Sequence, residues 1–212
     1  MARLALCVSV ALVLAATASA GPHDPKLRFT RAAQALARRA VVHLSDLRGW
    51  RPISRRPAQA RCPGSYDPDF SRLTVIGQAR SAFALSNQLL LASKVAVYVE
   101  ERQAAAAFRV AVTRSFLACA GTKLREGFAR AHVGARIVSK TMTRGPSLGT
   151  RNATFRIVFS VSARSRTTPY FAEVIVFQIH KAVAQLSIQG YGRRARGELS
   201  VARRVARRLE TT

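Results

Sequence analysis

Residues 153–162, Ala-Thr-Phe-Arg-Ile-Val-Phe-Ser-Val-Ser (ATFRIVFSVS), decide the fold. Apolar side chains stand at 153, 155, 157, 159 and 161, alternating with Thr154, Arg156, Ser160 and Ser162. Successive side chains of an extended chain point to opposite faces, so this period of two describes a half-buried strand. Outward from it, residues 135–143 continue the strand pattern upstream, and Gly145-Pro146-Ser147-Leu148-Gly149 supplies a turn. Downstream, Tyr170 to Ile179 is a more continuous apolar run, the pattern of a central strand. His180-Lys181 falls where a two-residue turn belongs, and Val183 to Gln189 returns. Four strands joined this closely favour antiparallel pairing.

Ahead of these strands lies a helical run from Glu101 to Cys119. Ala104, Ala105, Phe108, Ala111, Val112, Phe116 and Cys119 form its apolar stripe, and Gly121 is the expected stop. A shorter helical piece is read over 123–131. Two strands, 73–83 and 89–99, flank Ser86-Asn87, and Val95, Val97 and Val99 share one face. Asp24-Pro25 reads as a helix N-cap and first turn. Phe29, Ala33, Leu36, Ala40, Val41, Leu44 and Leu47 then recur at steps of three and four, predicting one helix to Gly49. Trp50, the one tryptophan, is expected to close its end. Residues 50–70 are proline-rich loop, and a last helix spans 197–209. The order α-β-β-α-β-β-β-β-α predicts a single α+β domain: a twisted antiparallel sheet of about six strands with helices packed against it.

The first twenty residues, MARLALCVSVALVLAATASA, have the form of an export leader. Arg3 precedes an apolar run, and Ala18-Ser19-Ala20 gives the small-x-small pattern for cleavage between Ala20 and Gly21. The run is shorter than the ~20 residues that span a bilayer. The expectation is a signal peptide over 1–20 and one extracytoplasmic domain over 21–212, its core about 26–209. No transmembrane anchor is expected after cleavage.

The formal net charge is +25, and Lys occurs only at 26, 94, 123, 140 and 181, so arginine carries most of it. Such a bias is written by a GC-rich genome on a solvent face, or it is an anion-binding surface. Arg203, Arg204, Arg207 and Arg208, opposite the apolar stripe of the last helix, are the candidate anion-binding face, for anionic wall polymer or lipid. Nucleic acid is disfavoured, because the aromatic residues are few and are not interleaved with the arginines.

Setting aside Cys7 in the leader, two cysteines remain, Cys62 in a Pro/Gly loop and Cys119 at a helix end. In an exported chain such a pair is expected to form a disulfide. A metal site, a catalytic thiol and two free thiols are the alternatives; the absence of CxxC and of a paired histidine argues against zinc. Asp67-Pro68-Asp69 is turn chemistry, short of the six to eight oxygens calcium takes. His23, His43, His132 and His180 are spread over separate elements. Glu173, inside an apolar strand, is expected to pair with Arg156 on a neighbouring one. No recognised catalytic or phosphate-cradling motif occurs, so no catalytic residue, metal or cofactor is assigned.

The stretches AQALARRAVVHLSDLRGWRP, CPGSYDPDFSRLTVIGQARSAF and SKVAVYVEERQAAAAFRVAVTRSFLACAG resemble actinobacterial exported proteins related to the extracellular sensor domain of PknH-type kinases. The shared features are a helix ending in Asp-Leu-x-Gly-Trp, a cysteine loop, and an alternating-valine strand leading into an alanine-rich helix that ends in a cysteine; a later sheet and terminal helix match in order only. The resemblance implies a helix-covered antiparallel sheet with a cleft and no catalysis, binding an unidentified envelope ligand. PknH-type domains have two disulfides, whereas this chain offers one pair, and no kinase accompanies it. The functional expectation is a secreted, non-enzymatic, sensor-like binding domain of the bacterial envelope. The alternatives are a basic scaffold adhering to anionic polymer or lipid, and a hydrolase without a recognised motif.

Overall fold

The computed structural model describes residues 23–54, 62, 64–85, 89–163, 166–192 and 197–211. The leader, its Ala20–Gly21 junction and the Ser86-Asn87 turn lie outside the described residues. Among the described residues, eight strands form one mixed sheet in the order β1-β3-β4-β8-β7-β6-β5, with β2 pairing β3. Six are long: β3 (Thr74–Leu85), β4 (Leu89–Tyr98), β5 (Gly134–Thr143), β6 (Arg151–Ala163), β7 (Arg166–Ile179) and β8 (Ala182–Tyr191). All six pair antiparallel. The short β1 (Lys26–Leu27) and β2 (Arg51–Pro52) lie against β3, β1 in parallel. The domain is α+β, as the alternation at 153–162 predicts.

The hairpin expected at His180-Lys181 forms without glycine; His180 takes the left-handed conformation itself, with φ 49°. Between β4 and β8 the sheet joins the early hairpin to the late four-stranded meander, pairing Lys94 with Gln185 and Leu89 with Gly190.

Helices cover both faces. On one, α1 (Arg31–Ala40) and α4 (Glu198–Glu210) pack over Phe83, Leu91, Val95, Phe171, Ile175, Phe177, Leu186 and Ile188. On the other, α2 (Glu101–Ala111) and α3 (Arg114–Arg130) cover two groups of residues. One contains Val75, Ala96, Tyr98, Ala104 and Ala107; the other contains Phe116, Leu124, Phe128, Phe155, Ile157, Phe159 and Val174.

Several expected helix boundaries move. The first helix begins at Arg31, where the Thr30 hydroxyl accepts from the Ala33 amide at 3.3 Å, and not at Asp24-Pro25. Lys26 and Leu27 are drawn into the sheet instead, and Phe29 is left 54 % exposed. That helix stops at Ala40, not near Gly49. A single 3₁₀ turn, Leu44–Asp46, follows, with Asp46 accepting from the His43 amide at 2.9 Å. Trp50 is part-buried against the same core, the cluster that also holds Ala37, Ala40 and Val41.

The run from Glu101 to Cys119 is two helices bent by 53°. Thr113 caps the second by accepting from the Phe116 amide at 3.0 Å. Gly121 lies inside α3 and does not end it. The residue is buried where α3 faces β5, and a methyl group there would meet the side chains of Ile137 and Lys140 at 3.4 Å, about van der Waals contact. The expected piece at 123–131 is the second half of the same helix.

Candidate functional site

Cys62 and Cys119 form the expected disulfide, with Cα atoms 5.7 Å apart. The bond fixes the loop to α3, one turn beyond Phe116. Cys62 and Tyr66 close a tight turn by two backbone hydrogen bonds of 3.1 and 2.8 Å, and the Tyr66 ring tilts onto Phe116 at 5.5 Å. Phe116 in turn meets Phe155 of β6 edge-on at 4.9 Å. Loop, helix and sheet are therefore joined through one aromatic stack.

The four arginines of α4 divide into two pairs. Arg208 grips the Asp46 carboxylate with both terminal nitrogens, at 2.6 and 2.9 Å, and reaches the Val41 carbonyl at 3.3 Å. Arg204 donates to the Asp46 carbonyl at 2.8 Å. Burial pushes the Asp46 carboxyl up. The hydrogen bonds from Arg208 and the His43 amide, with the charges of Arg208 and Arg204, outweigh it, and the group lies below the usual carboxylate range. These two arginines close the fold, so the expected four-residue face reduces to Arg203 and Arg207, which are exposed. Both stand on the helix that packs against α1, where Arg31, Arg38 and Arg39 are exposed as well.

Asp67 and Asp69 face His23 at 3.9 and 3.7 Å on the surface, and Asp69 accepts from the Ser71 amide at 2.8 Å. Among the described residues no group of His, Cys, Asp and Glu could hold a metal ion. Glu173 is buried, and the Arg156 Nε lies 3.8 Å from its carboxylate, across the register Arg156–Glu173.

A cluster that the sequence analysis did not single out lies on the sheet face beneath α2 and α3. Cross-strand partners share a face, so the register aligns Arg80 of β3, Lys94 of β4, Gln185 of β8 and Val176 of β7 in one row. Along β8 the same face carries Val183, Gln185, Ser187, Gln189 and Tyr191. The neighbouring face of β6 and β7 is apolar, with Phe155, Ile157, Ala172, Val174 and Val176. On that face of β7 polar residues recur only at its ends, where Tyr170 faces Tyr191 and the buried Gln178 is held by Arg151 and by the Glu101 carbonyl of α2. Small residues Ala82, Ala84, Ala92 and Ala96 surround the row on β3 and β4. A void with room for about one water lies between α3 and the sheet, and Ser187 is the polar member of its lining.

Three members of the cluster are electrostatically exceptional. Gln185 is 8 % exposed and Gln189 3 % exposed, and among the described residues the Gln185 Nε2 finds no acceptor and the Gln189 Oε1 no donor. Each orphaned amide group costs about 1–3 kcal/mol in a buried setting. Lys94 is part-buried, and burial, reinforced by the charge of Arg80 and opposed by that of Asp24, lowers its amine to about 7. The Arg80 guanidinium lies on the Gln78 amide oxygen at 2.6 and 2.9 Å, with that amide oriented by its hydrogen-bond partners. Burial keeps the Tyr98 and Tyr191 phenols above their ordinary values, so both stay neutral.

This row was legible in one respect. Lys94 and Gln185 each interrupt an apolar strand, and only the register between β4 and β8 shows that the interruptions coincide. No protein-family model matches the chain, and no curated protein is significantly similar to it.

Proposed function

We propose that the chain is an exported, non-enzymatic binding domain that takes a small polar ligand over the β4–β8 row. The disulfide supports an oxidising, extracytoplasmic location. Release by a signal peptide over 1–20 and residence in the bacterial envelope are the finer form of that reading. The observation that carries the binding role is the pair of orphaned amides, Gln185 Nε2 and Gln189 Oε1, beside a depressed amine on one sheet face. Buried polar groups are ordinarily paired, and two unpaired amides along one face of β8 mark where a partner molecule completes the hydrogen bonds.

The test passes a small-molecule extract of bacterial envelope over immobilised protein and over a Gln185→Leu/Gln189→Leu variant. At least one compound should be retained by the parent alone, read by mass spectrometry. Equal retention by both, or none by either, overturns the reading.

A second reading, adhesion to anionic wall polymer or lipid, is favoured by the exposed Arg31, Arg38, Arg39, Arg203 and Arg207 on the paired helices α1 and α4. Adhesion of this kind fades as salt rises, because screening shortens the reach of exposed charge to about 8 Å at 0.15 M. Pull-down on anionic vesicles at 50 and 500 mM salt measures it, with Arg203→Gln/Arg207→Gln as the control.

A further inference from the structure

We propose that the β4–β8 row is a carboxylate site, in which the Lys94 ammonium and the Gln185 amide N–H hold the carboxylate of a polar ligand. Gln189, and Tyr191 beyond it, meet the neutral polar groups of the ligand's body. The inference rests on the binding role proposed above and names the chemistry that role selects.

Two observations and the chemistry that joins them carry it. Lys94 and Gln185 are direct cross-strand partners, which sets their Cβ atoms about 5 Å apart on one face. An ammonium and an amide donor at that spacing offer the two hydrogen bonds that the two oxygens of one carboxylate accept. The Gln185 Nε2 donor is nine-tenths buried and has no acceptor among the described residues, so a ligand oxygen there fills an unmet hydrogen bond.

The charge count favours a monoanion. Arg80 is turned onto the Gln78 amide oxygen, which leaves Lys94 as the cation beside Gln185. A dianion such as sulfate or a phosphate monoester draws on a second cation, which here requires Arg80, the cross-strand neighbour of Lys94, to leave the Gln78 amide. The Gln189 backbone lies about 13 Å along β8 from that of Gln185, four residues at strand rise, and its Oε1 accepts an O–H or N–H from the ligand's far end.

Binding by this route takes up a proton. The charged groups acting on Lys94 are Arg80 from β3 and Asp24 from the segment ahead of β1. The phenols of Tyr98 and Tyr191 stay neutral, β8 presents uncharged Gln185, and α2 turns Ala104 and Ala107 towards Ala96 and Tyr98. An amine at about 7 is nine-tenths charged at pH 6 and one-tenth charged at pH 8. A ligand that binds the ammonium form alone therefore binds about tenfold more tightly at pH 6.

The experiment uses N-acetylglycine, its neutral isostere N-acetylglycinamide, and sulfate as probes, with backbone amide shifts of the full chain followed by NMR at pH 6 and pH 8. N-acetylglycine should move the amides of Ala92–Ala96 and Gln185–Gln189, about tenfold more tightly at pH 6. Lys94→Met should abolish the effect, with its amide spectrum otherwise preserved. If the neutral isostere binds equally well at both pH values, the carboxylate assignment fails while the binding role survives. If sulfate binds more tightly than N-acetylglycine, the monoanion assignment fails. If none of the probes moves these amides at 50 mM (an order-of-magnitude ceiling, roughly 1.8 kcal/mol of affinity), the inference is overturned, and the extract experiment decides the binding role by itself.

Discussion

Lys94 illustrates how a residue can be tuned by its neighbours rather than by its own type. Its folded-state amine lies near 7, below the ordinary lysine value of 10.5, so the unfolded chain binds more protons between those limits. Stability must then rise with pH across that window, and the cost of the charged lysine is felt in full below it. Lys94→Met should stabilise the protein by about 1–3 kcal/mol at pH 6. The gain should shrink towards pH 10, measured by urea unfolding at each pH. A gain independent of pH would show that packing and not charge is responsible. Gln185→Leu makes the same point with no titration. It removes an orphaned donor at similar volume and should raise stability by about 1–2 kcal/mol while it abolishes retention of the ligand. Gly77 is the opposite case. A methyl group there would lie 2.2 Å from the Ala33 carbonyl oxygen, so Gly77→Ala should push α1 off β3 and cost about 3 kcal/mol or more, seen as a lowered melting temperature.

At the scale of elements, periodicity carried most of the fold. The alternation at 153–162 locates β6, and the same logic finds β5, β7 and β8 within a few residues. The helices were less legible, and for a physical reason in each case. Residues 31–47 keep a helical spacing of apolar groups past Ala40, but Asp46 turns the chain by binding its own His43 amide and two arginines that arrive from α4. A partner more than 150 residues away leaves no local trace. Likewise, Gly121 looks like a stop in the sequence, but it is buried against Ile137 and Lys140, and that packing exists only once β5 is in place. The polar row was missed because register, not composition, assembles it. Asp46→Asn should cost about 2–4 kcal/mol at neutral pH by leaving Arg208 without its bidentate partner. Because the native carboxyl is lowered, its contribution is present above the ordinary carboxylate value and lost as pH falls through the native one. The gap between variant and parent should therefore narrow below about pH 4, followed by acid titration of the far-ultraviolet signal.

For the whole molecule, the two helical layers are not equivalent. The α1–α4 layer is tied across the chain by the Asp46–Arg208 grip, whereas the α2–α3 layer is tied by sulfur. With the cysteines 57 positions apart, cross-linking restricts the unfolded chain by about 4 kcal/mol at most. Cys62→Ser/Cys119→Ser should lose up to that amount in chemical denaturation, and the native protein should take up no alkylating reagent without prior reduction. Uptake of two equivalents by unreduced material would remove the link between covalent structure and compartment.

The pairing of β4 with β8 has a consequence for the order in which the protein is made. A nascent chain delivers both cysteines before it has delivered a single residue of the β5–β8 meander, so oxidation is free to precede completion of the sheet. Until residues 182–191 emerge, one long border of β4 has no neighbour, and the growing polypeptide presents it to whatever other chains are nearby. Crowded, slow synthesis should therefore expose this protein to misassembly through β4 more than through any boundary the finished molecule displays.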